Sequence, residues 1–282
     1  MIVTCNIMGG LGNQLFQIFA VISHALDTNS SFIFANVDNV GTGLTINRPT
    51  YWTTFLQSLR AFTKDVNKII INRRVIEIGA NQYNNLQQLV TASHSRLDKT
   101  IMFLGYFQSY KYFQSNYHVI SKLIRLKDHR LAAHQYMPTT INTIISMHFR
   151  FGDYKNIPGY VLPYSYFKNS LAHMRKQLSD QPMHILYFCE PDAVNDVAPY
   201  VEQLTKDFSD VAAFELADTA LPDYVQMMMM SLCSHHIVAN STFSWWGAYF
   251  NESPNKIVCY PDTWTQCPQD FIPVEWNRVP TV

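Results

Sequence analysis

The feature that most constrains this chain is a regular alternation of short apolar runs and helix-patterned segments in its second half. Ile141 to Ile145 leads a strand expected over 141–149, and a helix is expected at about 163–178. A strand at 184–189, a helix at 191–207 and a strand near Ala212 to Glu215 follow. The series closes with a helix at 222–233, a strand at 236–239, a helix at 242–250 and a strand at 256–260. A helix between two strands carries the chain back to the end where it started, so this pattern predicts a parallel sheet covered by helices. In such a sheet, ligands bind beyond the carboxyl ends of the strands. The segments directly after each strand are therefore where chemistry is expected.

The first half begins in the same way. Ile2 to Ile7 reads as a strand, a Gly-rich loop follows, and Leu15, Phe19, Ile22 and Leu26 then recur at helical spacing. Ser31 to Ala35 reads as a second strand, Asp38 to Tyr51 as a loop and Phe55 to Lys68 as a helix. Val75 to Ile78 and Ile101 to Phe107 read as strands, and Tyr110 to Arg130 as helix-rich. Gln135 to Asn142 contains Pro138 and several Thr residues, and a domain boundary is expected there. The expected domains are 1–138 and 139–282.

At 282 residues there is room for one large or two modest domains, and 48% hydrophobic against 15% charged residues excludes a disordered chain. Lys plus Arg number 21, as do Asp plus Glu, which removes any bulk electrostatic case for nucleic acid or an anionic membrane surface. The five Cys are scattered with no Cys-x-x-Cys pair, so they read as reduced thiols in a cytosolic compartment, not as a zinc ribbon or redox pair. No signal-peptide pattern precedes Ile2 and no apolar run approaches the ~20 residues of a membrane span, so a cytoplasmic location is expected. Met227 to Met230 reads as core helix.

Four segments can carry chemistry. Gly9-Gly10-Leu11-Gly12-Asn13-Gln14 lies between a strand and a helix, where backbone N–H groups can hold a phosphate or sugar. It is not a Walker loop, and Leu15 stands where the dinucleotide fingerprint needs a small residue. The plain alternative is a tight turn that needs glycine, but Asn13 and Gln14 can bind hydroxyls. The second segment, His148-Phe149-Arg150-Phe151-Gly152-Asp153-Tyr154, places a His, an Arg and an Asp at a strand's end. Arg150 offers a fork of donors suited to phosphate, or else a structural pair with Asp153 beside a core His148. In the third, Ile185 to Phe188 is followed by Cys189-Glu190-Pro191-Asp192, and an acid there can accept from a base or a ribose; Asp192 reads as helix-dipole compensation. In the fourth, Asn240, Ser241 and Thr242 are N-cap residues ahead of Phe243-Ser244-Trp245-Trp246, giving a second helix start suited to a diphosphate. The two Trp residues read as core. The chain has no Asp-x-Asp, no His-x-x-x-His and no Gly-x-Ser-x-Gly, so no metal is called for and neither a zinc site nor a hydrolase elbow is indicated.

Together, Gly9 to Gln17, His148 to Tyr154 and Asn240 to Tyr249 resemble the α-1,2-fucosyltransferases of glycosyltransferase family 11. Leu104 to Phe113 and Met230 to Ile237 add to the resemblance, which runs in order from residue 8 to about 261. It implies an α/β, GT-B-like fold of two Rossmann-like domains with parallel sheets. In it, 1–138 would be the acceptor side and 139–282 the GDP-sugar-binding domain. It also implies inverting transfer of L-fucose from GDP-L-fucose to a glycan hydroxyl, by default O2 of galactose, without a metal or other cofactor. Arg150 would clamp the β-phosphate, His148 and Glu190 would lie near the nucleoside, and Asn240, Ser241, Thr242, Phe243 and Ser244 would cradle the diphosphate. Gly10, Gly12, Asn13 and Gln14 would face the acceptor and the sugar, with Asp153 the nearest base or an anchor for Arg150. The lack of a membrane anchor fits a bacterial or viral type of enzyme. Two departures from the family pattern stand out. Phe151 occupies the place of a second arginine, and Cys189-Glu190-Pro191 the place of Ser-Asp-Asp, which points toward weaker donor binding or a different GDP-sugar. A non-catalytic GDP-sugar or glycan-binding protein is the rival, and a dehydrogenase a distant third.

Overall fold

The computed structural model describes residues 1–41, 48–67, 73–77, 82, 86, 88, 100–140, 143–264 and 270–282. It divides into two compact units, Met1–Asp128 with Cys267–Pro273, and His129–Gln266 with Val274–Val282. The change of unit between Asp128 and His129 lies within the helix Leu126–Ala133, and Arg130 Nη2 donates to Ser231 O within the second unit (3.2 Å).

The first unit opens with β1 (Ile2–Cys5) and α1 (Leu11–Asp27), then the short strands β2 (Ser31–Phe32), β3 (Phe34–Ala35), β4 (Asn39–Val40) and β5 (Arg48–Pro49). β6 (Thr63–Lys64), β7 (Arg73–Glu77) and β8 (Thr100–Leu104) follow, then the helix α2 (Tyr117–Leu123). The main sheet has the order β2-β1-β8-β7 and is parallel throughout. α1 is buried nearly all round, with Leu15, Phe16, Ile18, Phe19 and Ile22 fully enclosed. Among the described residues the helix expected at Phe55 to Lys68 is not continuous: Gln57–Phe62 is a 3₁₀ helix, and Thr63–Lys64 pairs with Phe34–Ala35, while Lys68 lies outside the described residues. Ile78 and the residues of the loop at 42–47 lie outside the described residues.

The second unit starts with α3 (Leu126–Ala133), most of which belongs to it, and continues with β9 (Thr143–His148), α4 (Tyr164–Gln177), β10 (Met183–Phe188) and α5 (Val194–Asp207). β11 (Ala212–Leu216), α6 (Asp223–Leu232), β12 (His235–Ile237), α7 (Thr242–Tyr249), β13 (Val258–Pro261) and β14 (Asn277–Val279) complete it. All six strands are parallel, in the order β11-β10-β9-β12-β13-β14. From β9 the chain steps outward to β10 and β11, then returns to lay β12 on the other side of β9. The order therefore reverses between β9 and β12, and the crevice at such a reversal is where open α/β sheets bind ligands. The strand β14 was not expected from the sequence. Met227 to Met230 are all enclosed in α6, as the core reading requires. Among the described residues no helix is long and apolar enough to cross a membrane, and Cys5, Cys189, Cys233 and Cys259 are buried free thiols.

Candidate functional site

β9 and β12 are neighbours in register, Ile237 opposite Met147, so both deliver their following residues to one carboxyl edge. β9 ends at His148 and is followed by Arg150 and a 3₁₀ turn over Gly152–Asn156; after β12 come Asn240 and the start of α7. Ser241 caps that helix, its Oγ accepting from Phe243 N at 3.3 Å, and Ser244 Oγ accepts from Ala239 N at 3.2 Å. The two segments are tied together directly. Tyr154 Oη donates to Asn240 O at 3.1 Å, Asn240 Nδ2 donates to Tyr160 O at 2.8 Å, and the His148 and Phe243 rings lie 5.5 Å apart. His148, Arg150, Asp153, Asn240, Ser241, Thr242, Phe243 and Ser244 are thus brought to one edge, which gathers a guanidinium and the positive end of a helix dipole.

Arg150 is held from two sides. Its Nη1 donates to Glu190 Oε1 and its Nη2 to Asp153 Oδ1 (2.5 Å), while its guanidinium carbon sits 5.1 Å from the centre of the Tyr154 ring. Glu190 reaches Arg150 because Phe188 pairs with His148, which sets the two residues equally far past their strands. Phe151 turns the other way. It is buried in the apolar core, edge-on to Tyr200 at 5.5 Å, so it does not take a place among the polar groups of the edge. At this position the backbone aims the side chain inward, into the core.

Among the described residues, two buried polar atoms at this edge have no hydrogen-bond partner, His148 Nδ1 and Asn240 Oδ1. Buried polar groups are nearly always satisfied, so both atoms are open to a further hydrogen bond. Burial, aided by the neighbouring Arg150, pushes the His148 pKa down to about 3, so its ring is neutral and can donate or accept.

Behind the edge lies a buried polar network. His236 Nδ1 lies 2.8 Å from Ser146 Oγ, and its Nε2 is 2.9 Å from Asn251 Nδ2. Lys256 Nζ donates to Ala248 O (2.9 Å) and to Asn251 O, closing the far end of α7; burial pulls its pKa down to about 8. Burial also drives the His236 pKa well below the ordinary value. Both His148 and His236 stay neutral when folded, yet each takes a proton below about pH 6.5 in the unfolded chain. The unfolded state then binds more protons, so stability is expected to fall as pH drops from 6.5 to 5. The limiting slope is about 1.4 kcal/mol per pH unit for each such histidine. Denaturant titrations across that range check this; a midpoint that does not move would contradict it.

In the first unit the Gly-rich loop is braced by its own polar side chains. Gln17 bonds Met8 through both its N–H (2.9 Å) and its carbonyl (2.9 Å). Gln14 is fully buried, its Nε2 donating to Gly9 O at 3.0 Å and Pro49 O at 2.8 Å, and Asn13 Oδ1 accepts from Gln108 Nε2 at 3.0 Å. Gly9 has φ +79° and a Cβ there would lie 2.7 Å from Asn13 Nδ2, so this position requires glycine. Gly10 is the residue before α1 and Gly12 is enclosed in its first turn. A cavity of about 250 Å³ lies beside the end of β1, lined by Thr4, Asn6, Val37, Asn39, Met102 and others, none of them charged. This cavity, at the β1/β8 reversal of the first sheet, had no signal in the sequence beyond the position of β1.

The model of the family described as glycosyl transferase family 11 matches residues 1–277. The chain belongs to glycosyltransferase family 11. It is similar to the Escherichia coli alpha-1,2-colitosyltransferase, 23% identical over 99% of both chains. It is also similar to the Escherichia coli O-antigen biosynthesis glycosyltransferase WbnK, 29% identical over 42% of this chain and 38% of the relative. Among solved structures, POFUT1 in complex with GDP superposes with a TM-score of 0.51 at 11% identity, covering 92% of this chain and 97% of that one. A mutant of Arabidopsis thaliana FUT1 in complex with GDP gives 0.52 at 12%, covering 96% and 71%. The Escherichia coli ADP-heptose LPS heptosyltransferase II gives 0.51 at 9%, covering 98% and 89%. The family member is thus a glycosyltransferase with a GT-B fold, its two units each built on a parallel sheet.

Proposed function

We propose that this family 11 member transfers L-fucose from GDP-L-fucose to a glycan hydroxyl, O2 of galactose, with inversion to an α-1,2 linkage. The observation that carries this reading is the convergence of Arg150 and the capped start of α7 at the β9/β12 edge, beside the unpartnered His148 Nδ1 and Asn240 Oδ1. A nucleoside diphosphate needs such an edge: fixed cationic donors, a helix N-terminus and polar groups for the remaining contacts.

In the reaction, the acceptor oxygen bonds to the anomeric carbon as the bond from that carbon to the β-phosphate oxygen breaks. The bonding pair leaves on the phosphate, and the acceptor hydroxyl gives up its proton. Arg150 and the first-turn N–H groups of α7 meet the growing negative charge, so no step calls for a metal. Asp153 holds Arg150 in place, and it is the carboxylate to which this reading gives the proton. The acceptor is assigned to the first unit, which holds the uncharged cavity at the end of β1 and, after it in the chain, Gly10, Gly12, Asn13 and Gln14 at the start of α1.

A second donor is favoured by one observation. The relative similar over the full length is named for colitosyl transfer, which makes another GDP-linked deoxysugar the alternative to fucose. The test is a panel of GDP-fucose, GDP-mannose and related GDP-deoxysugars against galactose-terminated glycans, reading GDP release and, by NMR, the linkage formed. Release confined to GDP-fucose with an α-1,2 product supports the first reading. Release only with a different deoxysugar replaces the donor, and no release with any pair leaves a binding protein of the same fold.

A further inference from the structure

We propose that Glu190 is the positioning residue that aims Arg150, and that it does not read the nucleotide base. This rests on Arg150 acting as the diphosphate clamp. Three consecutive residues are fitted around the Glu190 carboxylate. Arg150 Nη1 donates to Oε1, and Phe151 N donates to Oε2 at 3.3 Å. A Cβ on Gly152 would lie 2.8 Å from Oε1 and 3.2 Å from the carboxyl carbon, so glycine leaves the carboxylate its present place where a larger residue would make it shift. Both oxygens are therefore engaged by the chain itself, at a side chain that is only 20% exposed.

The register of the sheet enforces this arrangement. His148 pairs with Phe188, and two residues further on each strand's chain reaches Arg150 and Glu190. With Asp153 on its other terminal nitrogen, the guanidinium is fixed at both ends. Its Nε–H and one N–H on each terminal nitrogen remain as donors, because a guanidinium carries five. An arginine fixed before the ligand arrives loses less freedom on binding, so the carboxylate raises diphosphate affinity without touching the ligand.

Titration calorimetry with GDP, inosine diphosphate and inorganic pyrophosphate separates this from base recognition. Inosine diphosphate differs from GDP only in lacking the exocyclic amine, so the ratio of the two affinities reports base reading. Glu190→Ala is expected to weaken all three ligands by a common factor, roughly 10- to 100-fold, the worth of a lost charge-assisted hydrogen bond. The GDP-to-inosine-diphosphate ratio is expected to stay at the wild-type value, and in an Arg150→Ala background the same change is expected to have little further effect. Glu190→Asp is expected to restore part of the loss. If the alanine variant does not fold, Glu190→Gln, of the same shape, carries the same comparison. A collapse of the GDP preference, an undiminished effect without Arg150, or unchanged GDP binding would overturn the proposal. Wild-type protein that binds no GDP at all would instead overturn the functional reading on which it rests.

Discussion

Arg150→Ala is expected to lower sugar transfer by about 10²- to 10³-fold, the usual cost of deleting a preorganised donor at a site of developing charge. The loss should appear in turnover as well as in donor affinity, because the charge on the leaving phosphate is greatest in the transition state. The variant also leaves Glu190 and Asp153 facing each other without their shared cation. That local repulsion sits at the rim of the sheet and not within the apolar core, so the second unit is expected to stay folded. Arg150→Lys restores a charge but cannot span two carboxylates and a phosphate with one ammonium, and is expected to recover only part of the activity. Turnover of Arg150→Ala within a few-fold of wild type, in protein with a native unfolding profile, would remove the phosphate clamp from the account.

Trp246→Ala is expected to destabilise the second unit by about 3–5 kcal/mol, the usual cost of emptying a large buried aromatic site. Trp246 is wholly enclosed and touches Trp245, Tyr249 and Phe250 at ring separations of 5.1, 5.7 and 4.9 Å. Gly247 adds to the tightness, since a Cβ there would lie 2.8 Å from Met230 Cβ on α6. α7 therefore has little slack with which to fill the void. The change bears on function as well, because α7 carries the capped N-terminus at the donor edge. Urea titration followed by tryptophan fluorescence and circular dichroism measures the loss. A shift below about 1 kcal/mol, at the low end of core deletions, would show that the aromatic cluster repacks. A variant of normal stability with altered sugar preference would turn Trp246 from a core residue into a sugar contact.

The second unit was largely legible from its residues. Its strands are apolar runs such as Ile144-Ile145 and Ile185-Leu186, its helices are periodic, and each starts or stops near Pro, Gly or a capping residue. The strand β14 escaped because it is three residues long, Asn277–Val279, at the edge of the sheet and without alternation. The first unit was harder to read. Trp52, Phe55, Leu56 and Leu59 are buried and spaced as on a helix, yet a run of turns and a 3₁₀ segment presents the same inward face. Apolar spacing reports which side faces the core, and more than one backbone can satisfy it.

Within the site, the residues were legible but their partners were not. The sequence put Arg150 and Asn240 each after a strand; only the pairing of β12 with β9 brings them to one edge. Glu190 was visible as an acid at a strand end, but its hold on Arg150 follows from the register of β9 and β10. Phe151 was read from its place in a motif, whereas the turn of the backbone after Arg150 directs it into the core. Gln14 and Asn13 were visible as polar residues at a helix start. That Gln14 spends its amide on Gly9 and Pro49 is a tertiary fact with no local signal.

The measurement that bears most directly on the central claim is a calorimetric titration of the wild-type chain with GDP, run beside Arg150→Ala. The account predicts one GDP per chain for the wild type and markedly weaker binding for a variant that remains folded. Absence of GDP binding by the wild type, or equal affinity in the two proteins, would contradict a diphosphate site at the β9/β12 edge.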